Sequence, residues 1–300
     1  MKVFVTGGTG FVGREILRQL VAAKHTVRAL VRKGSEDKLA VLANVEVHTG
    51  DVTDTGCLAG ALAGCDAVIH LVGIIRAFPS RGITFQKMHV DATENVLAAA
   101  VQQGVRRFLH MSSNGTRERG TTDYHRTKWQ AEELVRNSGL EWTILRPSLI
   151  FGPGSEFVKM LAELIRRVPV VPVIGDGKYR MQPVAVGQVA ATFVKALSMP
   201  ETIGKTYLLG GGESYSYDEI LDLTAVAMGK GTAAKIHQPL FMIKPMIKIL
   251  QGFEQFPITE DQLKMLIEGN VCDPREWSKV FALQPISYAD GIGGCFQDKS

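Results

Sequence analysis

The sequence predicts an α/β protein, with a doubly wound parallel sheet of the Rossmann type and a smaller mixed lobe toward its C-terminal end. Short apolar runs alternate with longer helical patterns, a glycine-rich turn follows the first run, and proline and glycine interrupt the second half. We therefore expect one domain over residues 1–150. Residues 151–300 are expected to form mainly a second lobe, with some segments returning to the sheet.

The strands predicted in the first half are short runs of β-branched and apolar residues. They cover Val3–Thr6, Val27–Val31, Val45–His48, Ala67–Leu71, Arg107–Met111 and Trp142–Leu145. Helical patterns lie between them, from Phe11, around Asp91–Gln103 and around Thr122–Asn137. This βαβ alternation predicts six or seven strands in a sheet that is buried on both faces. In the second half, helices are predicted over Val189–Leu197, Tyr217–Met228 and Glu260–Glu268.

Composition excludes several classes of protein. The 300 residues are 45% hydrophobic, which suits a large core, and a net charge of +4 without a basic run argues against a nucleic-acid partner. The four cysteines form no CxxC pair, so we expect neither a metal site nor a disulfide framework. The strand pattern begins at Lys2 and no apolar run reaches the length of a membrane span, so a cytoplasmic location is expected.

The glycine-rich turn after the first strand contains the pattern Gly-x-Gly-x-x-Gly. Its glycines permit a tight turn, a close approach of the backbone to pyrophosphate, and close packing of helix on strand. The helix that begins near Phe11 then offers free N–H groups and a positive dipole end. A dinucleotide-binding site is therefore predicted at Gly7-Gly8-Thr9-Gly10-Phe11-Val12-Gly13.

The end of the second strand indicates which dinucleotide is preferred. Sites that prefer NAD usually place an acidic residue there to hold the ribose 2′-hydroxyl, but this chain has Arg32, followed by Lys33. A guanidinium can bind a 2′-phosphate through two hydrogen bonds, so NADP(H) is the predicted cofactor and NAD(H) the alternative. A strand-ending surface arginine is the other interpretation of Arg32.

The other predicted cofactor contacts lie where strands end, because ligands of open α/β sheets bind at the carboxyl ends of the strands. Asp51 would border the adenine, although an ordinary turn residue is an equal alternative. The remaining contacts of this kind are Val52, Val72, Gly73, Ser112 and Pro147.

Tyr124 and Lys128 are the residues that carry predicted chemistry. They stand four apart in a helical pattern, so both side chains project from one side of the helix. A neighbouring lysine favours the phenolate and is expected to lower the pKa of Tyr124, as a general acid/base near neutral pH requires. Ser113, at the end of the fifth strand, could hydrogen-bond the substrate oxygen. His110 and His125 flank this site, and a structural role is expected for both.

Several motifs follow one another along the chain. Those of the first half are Thr6–Gly13, Gly50-Asp51-Val52, Ser112-Ser113, Tyr124-x-x-x-Lys128 and Leu145-Arg146-Pro147. In order and spacing they resemble the short-chain dehydrogenase/reductase superfamily, in its extended or atypical, epimerase/dehydratase-like form. Those of the second half are Arg146–Gly154, Pro172–Gly177, Gln182-Pro183-Val184 and Leu209-Gly210-Gly211. They resemble the branch that contains the nucleotide-binding accessory subunit of respiratory complex I and its bacterial relatives.

The resemblance implies that Tyr124 is the general acid/base, that Lys128 binds the nicotinamide ribose, and that Ser113 orients the substrate. It implies hydride transfer between NADP(H) and a carbonyl or quinone-like apolar substrate. One alternative is a non-catalytic protein that holds NADPH in complex I assembly or quinone biosynthesis, and another is an NAD-dependent sugar-nucleotide epimerase or dehydratase. The chain departs from the family pattern at His89, where Asn is usual, and at Gly187, where Asp is common.

The most apolar stretch of the second half covers residues 239–251 and contains two lysines, Lys244 and Lys248. One interpretation is a helix that covers an apolar substrate cleft, with methionines as an adaptable lining. The alternative is an interfacial helix in peripheral contact with the inner face of a membrane. A homodimer is a further expectation, since helices beside the active site commonly form dimers in this superfamily.

Overall fold

The computed structural model describes residues 1–39, 44–251 and 258–297. Two compact units make up this part of the chain. The first unit contains Met1–Arg146 and Gly187–Tyr207, and the second contains Pro147–Val186 and Leu208–Ser300. Within the described residues, no helix is both long enough and apolar enough to span a bilayer.

A seven-stranded sheet forms the centre of the fold, in the order β11-β6-β5-β4-β1-β2-β3. Six of these strands, β1 to β6, come from the first half of the chain and pair with one another in parallel. The seventh, β11, lies at the edge beside β6. The predicted parallel sheet and its strand count are therefore confirmed. The bounds are β1 Lys2–Thr6, β2 Thr26–Val31, β3 Val45–Thr49, β4 Ala67–His70, β5 Arg107–Met111, β6 Glu141–Pro147 and β11 Lys205–Leu209.

The order of the strands reverses at β1, because the chain continues to β2 and β3 on one side and to β4, β5 and β6 on the other. Such a switch point leaves a crevice at the carboxyl ends of two neighbouring strands, which is where open α/β sheets bind ligands. A ligand site is therefore expected at the residues that follow β1 and β4.

The helices of the first unit pack on a sheet whose central strands β1, β4 and β5 are buried over most of their length. They are α1 Phe11–Ala22, α2 Thr55–Leu58, α3 Ala92–Gln102, α4 Asp123–Arg136 and α6 Val186–Ala196, and the division between the two units falls after the first residue of α6. A π-helix over Gln86–Asp91 leads directly into α3, and short 3-10 helices lie at Glu36–Leu39, Pro79–Arg81 and Pro200–Thr202. The core beside α3 includes Phe4, Val68, Val96, Phe108 and Ile144.

Arg107 ties β5 to its neighbours from inside the first unit. Its guanidinium donates to the Glu141 and Ala196 carbonyls, both at 2.7 Å, and to the Thr143 and Thr202 hydroxyls at 2.8 and 2.9 Å. Burial lowers the pKa of Arg107 to about 10. Four neutral acceptors thus satisfy a buried cation and fasten β6, the end of α6 and the loop at Thr202 to one strand.

In its described residues, the second unit consists of short strands and five helices of more than one turn around its own core. Its strands form three two-stranded sheets, β10 with β7, β12 with β9, and β13 with β8. The strand bounds are β7 Ile150–Phe151, β8 Val171–Ile174, β9 Arg180–Met181, β10 Val184–Ala185, β12 Tyr215–Ser216 and β13 Lys235–Gln238. The helices are α5 Glu156–Arg167, α7 Tyr217–Ala227, α8 Leu240–Leu250, α9 Glu260–Glu268 and α10 Arg275–Phe281, followed by one turn, α11, at Tyr288–Gly291 and a 3-10 turn at Ile292–Cys295.

Candidate active site

The glycine-rich turn requires glycine at two of its positions, for space at Gly13 and for backbone conformation at Gly7. A Cβ on Gly13 would lie 2.2 Å from the Gly7 carbonyl oxygen and 2.7 Å from the Gly8 Cα, so the first turn of α1 packs directly on the backbone that leaves β1. Gly7 has a φ of +74°, in the region that favours glycine. The predicted reasons for glycine, a tight turn and close packing, are therefore the ones that this turn displays.

The N-terminus of α1 is suited to an anionic group. Gly10 is the N-cap, no side chain caps the helix, and no acidic residue lies in its first turn. Its first N–H groups are thus left for a ligand, and the helix dipole favours negative charge at this end. At Gly10, a Cβ would meet nothing closer than the Gly7 carbonyl oxygen at 3.3 Å, so glycine leaves this surface open. These residues fit the pyrophosphate of a dinucleotide.

The loop after β4 connects this turn to the predicted chemistry. A Cβ on Gly7 would lie 3.2 Å from the Val72 nitrogen, and a Cβ on Gly73 would lie 2.9 Å from the Lys128 Nζ. Along the crevice between β1 and β4, the glycine-rich turn is therefore followed by Val72, then Gly73 and then Lys128.

Tyr124 and Ser113 are joined by a side-chain hydrogen bond. Thr122 positions the phenol by capping α4, accepting from the His125 N–H at 3.2 Å. Ser113 follows β5, and its hydroxyl lies 3.2 Å from that of the buried Thr116. A substrate oxygen placed between the Tyr124 and Ser113 hydroxyls could receive hydrogen bonds from both.

The pKa of Tyr124 is raised, chiefly by burial, and the hydrogen bond with Ser113 opposes the rise. The sequence suggested that Lys128 would lower this pKa, and the structure differs in direction. Lys128 directs its Nζ to the Met111 carbonyl oxygen at 3.0 Å, at the end of β5. The neutral phenol is therefore the favoured form of Tyr124 at neutral pH.

Lys128 is almost completely buried, at 3% exposed, and burial lowers its pKa to about 8, while Glu132 opposes the shift. An ordinary lysine has a pKa near 10.5, so the unfolded chain binds one more proton than the folded chain between about pH 8 and about pH 10.5. The buried ammonium therefore lowers the free energy of unfolding at low pH, and this loss is recovered as pH rises through the window.

Lys128→Met is expected to raise the free energy of unfolding by about 2 kcal/mol near neutral pH. Removing the buried ammonium gains about 3 kcal/mol, and loss of the hydrogen bond to the Met111 carbonyl costs about 1 kcal/mol. Through the pH window given above, the free energy of unfolding of wild type rises relative to that of Lys128→Met by about 1.4 kcal/mol per pH unit. Urea unfolding of both proteins across this range measures the difference.

The exposed Lys87 provides the matched control, because Lys87→Met removes the same charge without changing a buried group. We expect Lys87→Met to keep the wild-type pH slope. A Lys128→Met protein that is destabilised at neutral pH and parallels wild type at every pH would contradict the assignment of a buried, weakened ammonium.

Arg32 and Asp51 lie at the same edge of the sheet as the glycine-rich turn. Arg32 follows β2 and is exposed, as is Lys33, so both side chains are accessible to a ligand. The Asp51 carboxylate accepts from the Thr53 N–H at 2.9 Å and from its hydroxyl at 2.8 Å, which is an Asx turn. Asp51 thus has the turn role that the sequence left open, and its contact with adenine stays a prediction.

The other predicted cofactor residues divide between the units. Val52 is buried, and its carbonyl accepts from the Asn95 amide at 3.0 Å. Ser112 is buried and donates its N–H to the Leu145 carbonyl at 2.8 Å. Pro147 ends β6 and belongs to the second unit. Their contacts with a cofactor remain predictions.

His89 is one of the two departures from the family pattern, and its ring links two parts of the site. Its Nδ1 lies 2.9 Å from the Thr127 hydroxyl on α4, and its Nε2 lies 3.0 Å from the Ile74 carbonyl oxygen in the loop after β4. Burial, together with Lys128, lowers the pKa of His89 to about 2, so the ring is neutral. The π-helix that carries His89 widens the helical turn, a feature frequent at functional sites.

Gly187, the second departure, lies near a carboxylate. Its carbonyl accepts from the Gln19 amide at 3.0 Å, and a Cβ at this position would lie 3.9 Å from a carboxylate oxygen of Glu15. An aspartate here would face the like charge of Glu15 on α1.

His110 is fully buried and stacks on His70 with ring centroids 5.6 Å apart. Burial lowers its pKa well below the ordinary value, so it stays neutral. Neither ring nitrogen of His110 has a hydrogen-bond partner within the described part of the chain. His125 is buried against Gly115 and Gly120, where an added Cβ would lie 3.0 and 2.7 Å from its side chain.

An ion-pair network behind Lys128 was not predicted. Glu132 is fully buried and accepts from both Arg146, at 2.7 and 2.5 Å, and Arg136, at 2.5 Å. The helical spacing of Lys128, Glu132 and Arg136 could have signalled part of it, because residues four apart share a helix face. Arg146 lies on β6, so its participation depends on the order of the strands.

Comparison with known proteins agrees with the motifs. The sequence model of the NAD dependent epimerase/dehydratase family matches residues 3–210. The crystal structure of gox2253 is similar over 98% of this chain and 96% of that chain, with a TM-score of 0.77 and 26% identity. The resemblance inferred from the sequence is therefore confirmed.

Two proteins that are similar in sequence have names that indicate different functions. Mitochondrial NADH dehydrogenase (ubiquinone) 1 alpha subcomplex subunit 9 of Arabidopsis thaliana is 32% identical over 228 residues, which cover 73% of this chain but only 56% of the relative. Ceramide reductase of Caulobacter vibrioides is also 32% identical over 228 residues, which cover 76% of this chain and 70% of the relative. The chain thus spans little more than half of the first relative.

Proposed function

Because the chain belongs to the NAD dependent epimerase/dehydratase family, we propose that it is an NADP(H)-dependent reductase of an apolar carbonyl or quinone-like substrate. The observation that carries the proposal is the hydrogen-bonded pair of Ser113 and Tyr124, one helical turn from a buried Lys128. A binding protein without chemistry needs no such arrangement of hydroxyls and ammonium.

Three parts of the first unit would hold the cofactor. The N–H groups at the start of α1 would bind the pyrophosphate, Arg32 the 2′-phosphate, and Lys128 the nicotinamide ribose. When bound, NADPH supplies the hydride that reduces the substrate carbon.

The side chains of the protein supply the proton. The Tyr124 phenol donates its proton to the substrate oxygen, and the C=O bond becomes a C–OH group as the carbon gains the hydride. Ser113 donates a hydrogen bond that holds this oxygen beside the phenol. The resulting phenolate then recovers a proton from solvent. The raised pKa of Tyr124 suits this direction, because reduction begins with a protonated phenol.

The apolar character of the substrate is supported by a relative whose name says that it is a reductase of ceramide, a lipid. The test uses the purified chain with NADPH and either a long-chain 3-oxo ester or a quinone with a short isoprenoid chain. We expect NADPH consumption, followed by its absorbance, and formation of the corresponding alcohol or quinol. NADPH that binds but is consumed with neither probe would count against the proposal.

Arg32→Ala is expected to weaken NADPH binding by about 10- to 100-fold, since charge-assisted hydrogen bonds to the 2′-phosphate contribute about 1.5–3 kcal/mol. NADH has no such phosphate, so its affinity should change little. Fluorescence titration of both cofactors, with wild type and variant, measures the ratio of affinities.

Arg106→Ala is the matched control, because Arg106 is 80% exposed and precedes β5, at the opposite end of the strands. It should leave both affinities unchanged. Equal binding of NADH and NADPH by wild type, or an unchanged NADPH affinity in Arg32→Ala, would rule out this role for Arg32.

A second candidate function is supported by the similarity to the complex I subunit. In that case the protein holds NADPH as part of its structure and assists an assembly without turnover. The release rate of bound NADPH, measured by displacement with excess NADP+, separates the two. Release within seconds permits turnover, whereas release over many minutes, together with no activity, favours the assembly role.

A further inference from the structure

The helix α8, Leu240–Leu250, is apolar around its whole circumference apart from two lysines. Its inner face packs Ile243 and Ile247 against Leu263 of α9 in a small core. Its outer face is left in solvent, with Phe241 76%, Ile249 74% and Met242 63% exposed. A helix that is hydrophobic on all sides is normally buried, so this outer face requires a partner.

The exposed residues form a continuous surface at helical spacing. Along the outer face, Pro245 follows Met242 by three residues and Phe241 by four, Ile249 follows Pro245 by four, and Met246 borders them. We call these five residues the α8 outer face. Ile236, 55% exposed, lies on the preceding strand β13 of the same unit. This set is larger than the single exposed apolar side chains that are common on soluble proteins.

The charges carried by α8 itself have one sign. Lys244 and Lys248 are exposed one turn apart along one flank of the outer face, and α8 contains no acidic residue. Long lysine side chains can extend past an apolar surface and place their ammonium groups among lipid headgroups. Apolar side chains flanked by lysine are the pattern of a helix that lies in the interface of an anionic bilayer.

We propose that the α8 outer face binds the surface of an anionic phospholipid bilayer, with the helix lying parallel to the membrane. Phe241, Met242 and Ile249 enter the boundary between headgroups and acyl chains, and Lys244 and Lys248 contact the anionic headgroups. The proposal is independent of the reductase function, because it concerns the second unit by itself and is tested without substrate.

Flotation of the full chain with vesicles tests the proposal. We expect binding to phosphatidylcholine vesicles that contain phosphatidylglycerol, weaker binding at high salt, and little binding to phosphatidylcholine alone. Lys244→Gln/Lys248→Gln should lower the partition coefficient by about 25-fold, since each lysine near an anionic surface contributes a factor of about 5. Phe241→Ser/Ile249→Ser should abolish binding.

Val226→Ser is the matched control, because Val226 is 56% exposed on α7 in the same unit, and it should bind vesicles as wild type does. Thermal unfolding identifies any variant that fails to fold. A chain that stays in the aqueous fraction with anionic vesicles overturns the proposal. So does a dimer, detected by light scattering, that Phe241→Ser/Ile249→Ser converts to monomers, because a second copy then covers the α8 outer face.

Discussion

Tyr124→Phe is expected to lower kcat for reduction by about 10²- to 10⁴-fold, the range that a positioned general acid contributes. The substitution removes the proton donor and the hydrogen bond with Ser113, but it keeps the ring. The ring packs edge-on against His89 with centroids 5.4 Å apart, so the phenylalanine should occupy the same place. Initial rates of NADPH consumption with the long-chain 3-oxo ester measure the loss.

Two further measurements separate lost chemistry from lost structure. NADPH affinity should be nearly unchanged in Tyr124→Phe, because the pyrophosphate and 2′-phosphate are bound elsewhere. Tyr179→Phe is the control, since it removes a phenol hydroxyl that has no hydrogen-bond partner among the described residues, and it should keep full activity. A Tyr124→Phe protein that consumes NADPH at the wild-type rate would show that Tyr124 is not the proton donor.

The fold could be predicted because its central strands carry a strong signal. Parallel strands buried on both faces are nearly continuous apolar runs, and Val3–Thr6 and Ala67–Leu71 are such runs apart from the buried polar residues Thr6 and His70. The glycine-rich turn was equally readable, because the need for glycine at Gly13 comes from a local contact with Gly7. Local sequence thus contains the information for elements whose constraints are local.

The site was less predictable where its properties depend on burial. The spacing of Tyr124 and Lys128 indicated that they share a helix side, but the direction of the Tyr124 pKa depends on how deeply the phenol is buried. The π-helix at Gln86–Asp91 was predicted neither as an element nor as the support of His89. A π-helix differs from an α-helix in hydrogen-bond register more than in composition, so periodicity does not reveal it.

Glu132→Gln is expected to lower the free energy of unfolding by about 3–5 kcal/mol, the cost of breaking a buried ion pair from one side. Glu132 is fully buried, and the Arg146 guanidinium that it binds is only 16% exposed. Arg136 and Arg146 also lie over the Trp129 ring, at 4.8 and 5.9 Å from its centroid. Without the carboxylate, two cations face each other around one indole, and urea unfolding at neutral pH measures the cost.

Glu133→Gln is the matched control, because Glu133 is the next residue on α4, binds the same Arg136, and is 46% exposed. An exposed pair of this kind contributes about 0–1 kcal/mol, so the two neighbours should differ severalfold in their effect. Equal losses of stability in both variants would mean that the stability depends on Arg136 and not on the buried carboxylate.

Glu132→Gln also affects Lys128, because Glu132 raises the pKa of Lys128. In Glu132→Gln, the pH-dependent gain in stability that comes from Lys128 should therefore begin at a lower pH than in wild type.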